Sequence, residues 1–263
     1  MIENLKTTKG RRALILQRLR ERSQISVAEL HEEFGVSEVT IRKDLNALYE
    51  RNLLVRTRGG AMSYPAGEAT PDDTPIDNKC LYNKREKQAI GRLAASLIEE
   101  GNTIMLDSGT TTLEIARNLD RFRRLTIITN AINIAVELLR YKRFNVILLG
   151  GNLREPSHST VGPIAESNLK LFYCDKLFLG VDSFNVECGL STPNIEEANI
   201  NQVMLSMASQ VVAVFDSSKV NKRSFAFISS VDKIDVIVTD NHLPSNLRTQ
   251  LRSMGIQLYQ AEV

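Results

Sequence analysis

Beyond residue 100 this chain carries seven short apolar runs of strand length: Thr103 to Leu106, Leu125 to Thr129, Asn145 to Leu149, Lys176 to Val181, Gln210 to Phe215, Val236 to Thr239 and Ile256 to Tyr259. Stretches of helical periodicity alternate with them, and a further helix is predicted from Lys84 to Glu99. Runs that are apolar at nearly every position need cover on both faces, and the segments that cover parallel strands are helices. The pattern therefore predicts an α/β domain with a largely parallel sheet over residues 80–263.

Residues 1–61 follow another rule. A first helix runs through Ala13, Ile15, Leu16 and Leu19. Ser26 suits an N-cap ahead of Val27, Leu30 and Phe34, and Gly35 closes that second helix. Ser37 caps a third, which places Ile41, Leu45 and Leu48 on one face. Two helices joined by Gly35-Val36 predict a helix-turn-helix, and Leu53 to Arg56 with Thr57 to Ala61 predict the two short strands of a wing. Residues 62–79 hold Pro65, Gly67, Pro71, Asp72, Asp73 and Pro75 without periodicity and read as a linker.

Charge is unevenly divided. Residues 1–60 hold 12 Lys/Arg against 8 Asp/Glu, whereas the remaining 203 hold 21 against 23. The basic end suits a polyanion, and the third helix has the form needed to read double-stranded DNA. With its apolar stripe turned inward, Val39, Thr40, Arg42, Lys43 and Asn46 face outward or to the flanks, and Ser37, near the helix N-terminus, could bond a phosphate. Arg56 and Arg58 flank the Gly59-Gly60 turn of the wing, where they can meet the backbone or the minor groove.

Other classes are disfavoured. Cys80, Cys174 and Cys188 are odd in number and contain no CxxC pair, and with 3 histidines they support neither a disulfide framework nor a metal site. No cofactor motif stands out. No apolar run approaches the ~18 residues of a membrane helix, so no membrane partner is expected. Met1 to Lys6 lacks the apolar core of a signal peptide, and a cytoplasmic location is expected.

In the α/β part, Asp107 ends the first strand and Ser108-Gly109-Thr110-Thr111-Thr112 leads straight into a helix. Such a turn offers free N–H groups and hydroxyls to a phosphate, although the same residues suit an ordinary N-cap. Asn130 and Gly150-Gly151 follow the next two strands at the same sheet edge, where ligands of open α/β sheets bind. For the glycine pair, a turn that simply needs positive φ is an equal alternative. Lys219 follows the strand ending at Phe215 and is a candidate anion partner. Asp182 and Glu197 are candidates to hydrogen-bond sugar hydroxyls, with the capping of a turn as the alternative for either, and Arg154 and His158 lie in a loop that could close over a ligand.

Val36-Ser37, Thr40-Ile41-Arg42-Lys43-Asp44-Leu45, Arg56 and Gly59-Gly60-Ala61 together resemble the N-terminal signature of the DeoR family of bacterial regulators. Asp107-Ser108-Gly109-Thr110-Thr111, Thr129-Asn130, Gly150-Gly151, Gly180-Val181-Asp182 and Asp216-Ser217-Ser218-Lys219 resemble its effector-domain motifs. The likeness is greatest to repressors of N-acetylgalactosamine and sugar-alcohol use. Asn52, Arg58 and Ile195 depart from it, standing where glycine, histidine and glutamate are usual. The resemblance implies a winged helix-turn-helix joined to an α/β effector domain similar in fold to ribose-5-phosphate isomerase. It further implies a repressor of carbohydrate genes under control of a phosphorylated sugar, and because one small winged helix contacts few bases, a homo-oligomer, dimer or tetramer, is expected.

That fold makes an isomerase the competing reading. Aldose–ketose isomerisation needs a base and a cation to stabilise the enediolate. Between Ser183 and Ser218 the chain has no Lys or Arg, and Cys188 stands near the position where the isomerase places its lysine. A sensor is expected rather than an enzyme. An α/β domain used only for oligomerisation would leave the hydroxyl cluster and Lys219 without a task.

Overall fold

The apolar stripes of the N-terminal helices meet in one small core. The computed structural model of the chain describes residues 7–22, 24–49, 54–57, 59–62 and 74–263, and the chain divides into two compact units, Met1–Thr74 and Pro75–Val263. In the first, α1 (Thr8–Arg22), β1 (Gln24–Ser26), α2 (Val27–Phe34), α3 (Glu38–Tyr49), β2 (Val55–Thr57) and β3 (Gly60–Met62) follow in order. Ile15, Leu19, Val27, Leu30, Phe34, Ile41, Leu45 and Leu48 are buried together with Leu54 and Ala61.

Local chemistry sets the helix ends. Ser26 and Glu29 form a reciprocal capping box on α2, and Gly35 ends it in the left-handed region at φ 64°. The Ser37 hydroxyl accepts from the Thr40 amide at 3.3 Å and caps α3. The wing has three strands rather than the expected two, because β1 pairs antiparallel with β3, which pairs with β2. Sequence reading assigns Ser26 only to its cap, since a three-residue strand is too short to show a period.

The second unit opens with α4 (Ile76–Lys79) and α5 (Lys84–Ser96). The end of the expected linker is thus a helical turn, with Ile76 buried. The first half of the sheet contains β4 (Thr103–Leu106), α6 (Thr110–Ala116), β5 (Thr126–Thr129), α7 (Ile132–Leu138) and β6 (Asn145–Leu148). A small hairpin of β7 (Asn152–Arg154) and β8 (Ser159–Val161) leads to α8 (Pro163–Leu169) and β9 (Cys174–Gly180). Next come β10 (Ser183–Asn185), β11 (Gly189–Thr192), α9 (Ile195–Ser206), β12 (Ala208–Val214) and β13 (Ala226–Ser229). The chain closes with β14 (Val236–Asp240), α10 (Ser245–Ser253) and β15 (Gln257–Ala261).

The main sheet is parallel throughout, in the order β15-β14-β12-β9-β4-β5-β6. Alternate residues of each strand enter different cores. Ile104, Leu106, Ile127, Phe178, Val212 and Val238 pack with residues of α5, α6 and α7. Met105, Ile128, Leu177, Leu179, Ala213 and Ile237 pack with residues of α8, α9 and α10. The sheet is doubly wound, and strand order reverses between β4 and β9, so that their C-terminal ends open the crevice where such folds bind ligands. Strands β10, β11 and β13 form a separate antiparallel sheet.

Candidate nucleic-acid interface and effector site

Helix α3 is fastened from behind. Arg11 Nε lies 2.7 Å from Asp44 Oδ2 and Arg12 Nε lies 2.8 Å from Asp44 Oδ1, with Asp44 2% exposed. A buried carboxylate needs such partners, and these two tie α1 to the inner side of α3. The opposite side carries Ser37, Val39, Arg42, Lys43 and Asn46, all exposed, with Thr40 half-buried. Arg42 is engaged with Glu38 at 2.8 Å, an exposed pair one turn apart that a phosphate can replace at little cost. In the wing, the Gly59 carbonyl accepts from the Val27 amide at 2.8 Å, which pins the hairpin tip to the start of α2. Arg56 Nη1 is buried without a hydrogen-bond partner. Arg58, the other wing arginine, lies outside the described residues.

The candidate effector site lies at the C-terminal ends of the paired strands β4 and β9. A Cβ on Gly180 would stand 3.4 Å from Asp107 Oδ2, an ordinary van der Waals distance, which sets the β9 end directly against the turn after β4. Asp107 is buried and accepts from Asn201 Nδ2 of α9 at 2.9 Å. Two residues beyond β9, Asp182 accepts from Lys79 Nζ at 2.7 Å, Lys219 Nζ stands 4.0 Å from the same oxygen, and Thr192 donates to Asp182 Oδ2 at 3.2 Å. Thr192 also reaches Glu197 Oε2 at 3.2 Å, and Glu197 holds Arg154 at 3.0 Å. Lys87, buried on α5, donates to the Lys79 carbonyl at 2.6 Å.

These groups perturb one another. Burial, followed by neighbouring Glu197, pushes Asp107 up to about 8 against the hydrogen bond from Asn201. Burial also opposes ionisation of Asp182, but Lys79 and Lys219 outweigh it and hold that carboxyl at about 2. Glu197 is raised by burial and by Asp182, with Arg154 pulling the other way. Burial lowers the Lys87 ammonium to about 8, with Asp216 resisting. The site thus keeps Asp182 charged and favours a protonated Asp107, an arrangement that offers cations to an anion and carboxylates to hydroxyls.

The expected residues fall into three groups. Asp107, Asp182, Glu197 and Lys219 converge as described, and Ser108 and Gly109 abut Gly180. Thr110 and Thr111 are buried in the first turn of α6, whose capping residue Gly109 makes no side-chain cap bond. Asn130 is fully buried, donates to the Thr160 carbonyl at 3.1 Å, and leaves Oδ1 without a partner. Gly150 and Gly151 contact α8 and β8 instead. A Cβ on Gly151, at φ +155°, would come 2.7 Å from the Val161 carbonyl, so close packing explains that glycine. Arg154 is buried in its ion pair rather than poised on an open loop, while His158 turns the chain at φ 48°.

Lys79, Lys87, Thr192 and Asn201 escape sequence reading. Lys79 falls in a stretch without periodicity. Lys87 precedes Ile90, Gly91 and Ala94 by three, four and seven positions, so a charge on the buried stripe of α5 is the one legible signal. Among the described residues no His, Cys, Asp or Glu cluster is arranged to hold a metal, and no helix is long and apolar enough to cross a membrane.

Comparison with known proteins adds lineage to this geometry. Residues 11–65 match the family model of the DeoR-like helix-turn-helix domain, and residues 82–241 that of the DeoR C terminal sensor domain. A protein of Escherichia coli O157:H7 named as an aga operon transcriptional repressor is 38% identical over 95% of this chain and 93% of its own length. Transcriptional repressor AccR of Agrobacterium fabrum is 37% identical over 89% of this chain and 90% of its own. The HTH-type transcriptional regulator GlpR of Haloferax volcanii is 37% identical over 88% and 89%. Ribose 5-phosphate isomerase A from Methanocaldococcus jannaschii overlaps 54% of this chain and 56% of its own, with a TM-score of 0.41 and 18% identity, too slight a likeness to carry an argument.

Proposed function

This chain belongs to the DeoR family of transcriptional regulators, and from that premise we propose that it represses carbohydrate catabolic genes until a phosphorylated sugar or amino sugar frees the operator. The observation that carries the reading is the convergence of Lys79 and Lys219 on Asp182 beside the β4–β9 crevice. Two ammonium groups at a sheet edge suit a phosphate, and the adjoining carboxylates of Asp182 and Glu197 suit sugar hydroxyls. Ser108, Gly109, Thr110 and Thr111, with Asp107 below them and Asn130 alongside, complete the ligand-facing turn. On the DNA side, Ser37, Val39, Thr40, Arg42, Lys43, Asn46 and Arg56 are the groups we assign to the operator.

The protein acts by binding and not by turnover. The lack of Lys or Arg from Ser183 to Ser218 does not by itself decide this, because Lys79 reaches Asp182 from outside that segment. The relatives, named as regulators, favour a sensor. A homo-oligomer of even subunit number fits paired operator half-sites, since one winged helix reads few bases. The edge strand β6, half-exposed and apolar, together with the exposed Val136 and Leu139 of the neighbouring helical segment, supports such association.

The experiment is a thermal-shift panel of sugar phosphates and sugar-alcohol phosphates beside their unphosphorylated forms. A ligand of the native state raises the melting temperature by mass action. A shift confined to a phosphorylated compound supports the reading, and no shift with any member counts against it.

A further inference from the structure

Helix α4 is the first described element of the sensor unit, and residue 74 just before it belongs with the N-terminal unit. Its last residue does two things at once. The Lys79 ammonium bonds Asp182 at 2.7 Å, and its carbonyl receives the buried Lys87 ammonium at 2.6 Å. Lys79 and Lys219 therefore share Asp182 Oδ1, and the Lys87 ammonium on the Lys79 carbonyl is close enough to Asp216 and Lys219 to feel their charges. Asp216 Oδ1 is occupied by Asn83 and Ser218, and Arg154 is matched by Glu197. The long lysine stems let Lys79 and Lys219 turn toward an anion without moving the sheet.

We infer that Lys79 is itself an effector-contacting residue, which exchanges Asp182 for the phosphate of the ligand and so makes the position of α4 depend on whether the effector is bound. The inference rests on the sugar-phosphate reading of this site and adds to it the link toward the DNA-binding unit. A phosphate competes with Asp182 for the two ammonium groups, while Asp182, released from them, turns to sugar hydroxyls. Because Lys79 ends α4, its change of partner acts on the segment that joins the two units. A ligand shifts an equilibrium only through contacts that differ between states, and this is such a contact.

The test uses the full chain, inorganic phosphate as probe, calorimetric titration, and hydrogen exchange of peptides spanning residues 75–83. Lys79→Met and Lys219→Met should each weaken phosphate binding about tenfold, as expected for one charge-assisted bond, and Lys79→Arg should recover it. Asp182→Asn should tighten binding of inorganic phosphate by freeing both amines. Phosphate should alter exchange at 75–83 in the wild type and in Lys219→Met at saturation, but not in Lys79→Met. If Lys79→Met binds as the wild type while Lys219→Met is weakened, the site stands and Lys79 is removed from it. An Asp182→Asn protein that binds phosphate no more tightly than the wild type also overturns the inference. If the wild type fails to bind, or neither lysine matters, the site reading falls and the inference with it.

Discussion

Arg11 and Asp44 form a buried ion pair 2.7 Å long that joins the first helix to the inner face of the third. Removing the carboxylate takes this partner from the buried Arg11 and loosens Arg12. Breaking a buried pair from one side costs about 3 to 5 kcal/mol. Asp44→Ala should therefore destabilise the N-terminal unit on that scale in urea unfolding and abolish operator binding. A loss near zero would show that the pair does not hold the helix.

Arg42→Ala and Lys43→Ala act on the other side of the same helix. Both side chains are exposed, and the Arg42–Glu38 pair is of the exposed kind worth at most about 1 kcal/mol. Each variant should keep its melting temperature while binding operator more weakly. A phosphate contact should lower the salt slope by about one, and a base contact should relax preference at one position. Wild-type operator affinity in both would refute the assigned reading face.

Asp107 makes stability depend on pH in a direction that can be checked. Its folded-state value of about 8 lies above the ordinary 3.8, so the folded protein retains a proton that the unfolded chain releases. The contribution is complete below about 4 and is lost as pH rises toward 8. Asp107→Asn keeps an acceptor for Asn201 and does not titrate, so its stability relative to wild type should grow between those limits by a few kcal/mol. Urea unfolding at several pH values measures this, and a constant difference would mean that Asp107 is ionised in the folded state.

Much of this architecture is legible in the sequence because the inner strands of the main sheet are apolar runs covered on both faces. Leu125 to Thr129 becomes Thr126–Thr129 and Gln210 to Phe215 becomes Ala208–Val214, small shifts at strand ends. The three-residue strands β1, β7 and β10 carry no period and pass unseen. Asp182 and Lys219 stand in recognisable motifs, whereas Lys79 meets them only because the fold brings positions 79, 182 and 219 to one edge. No local spacing encodes that meeting. Gly151 shows the converse, a motif residue whose conformation and close packing account for it.

The full-length protein should be an oligomer of even subunit number in solution, because paired half-sites raise effective affinity. Light scattering at working concentration checks this. A strict monomer that still binds operator with high affinity would contradict it.

Operator binding titrated with the active sugar phosphate tests the central claim most directly, since it joins both ends of the molecule in one signal. The wild type should release DNA as the phosphorylated compound is added and should ignore its unphosphorylated form. Lys219→Ala should bind operator as tightly as wild type yet need at least about ten times more ligand to let go, the loss expected for one charge-assisted contact. Release at the same ligand concentration as wild type, or release by the unphosphorylated sugar, would contradict the account.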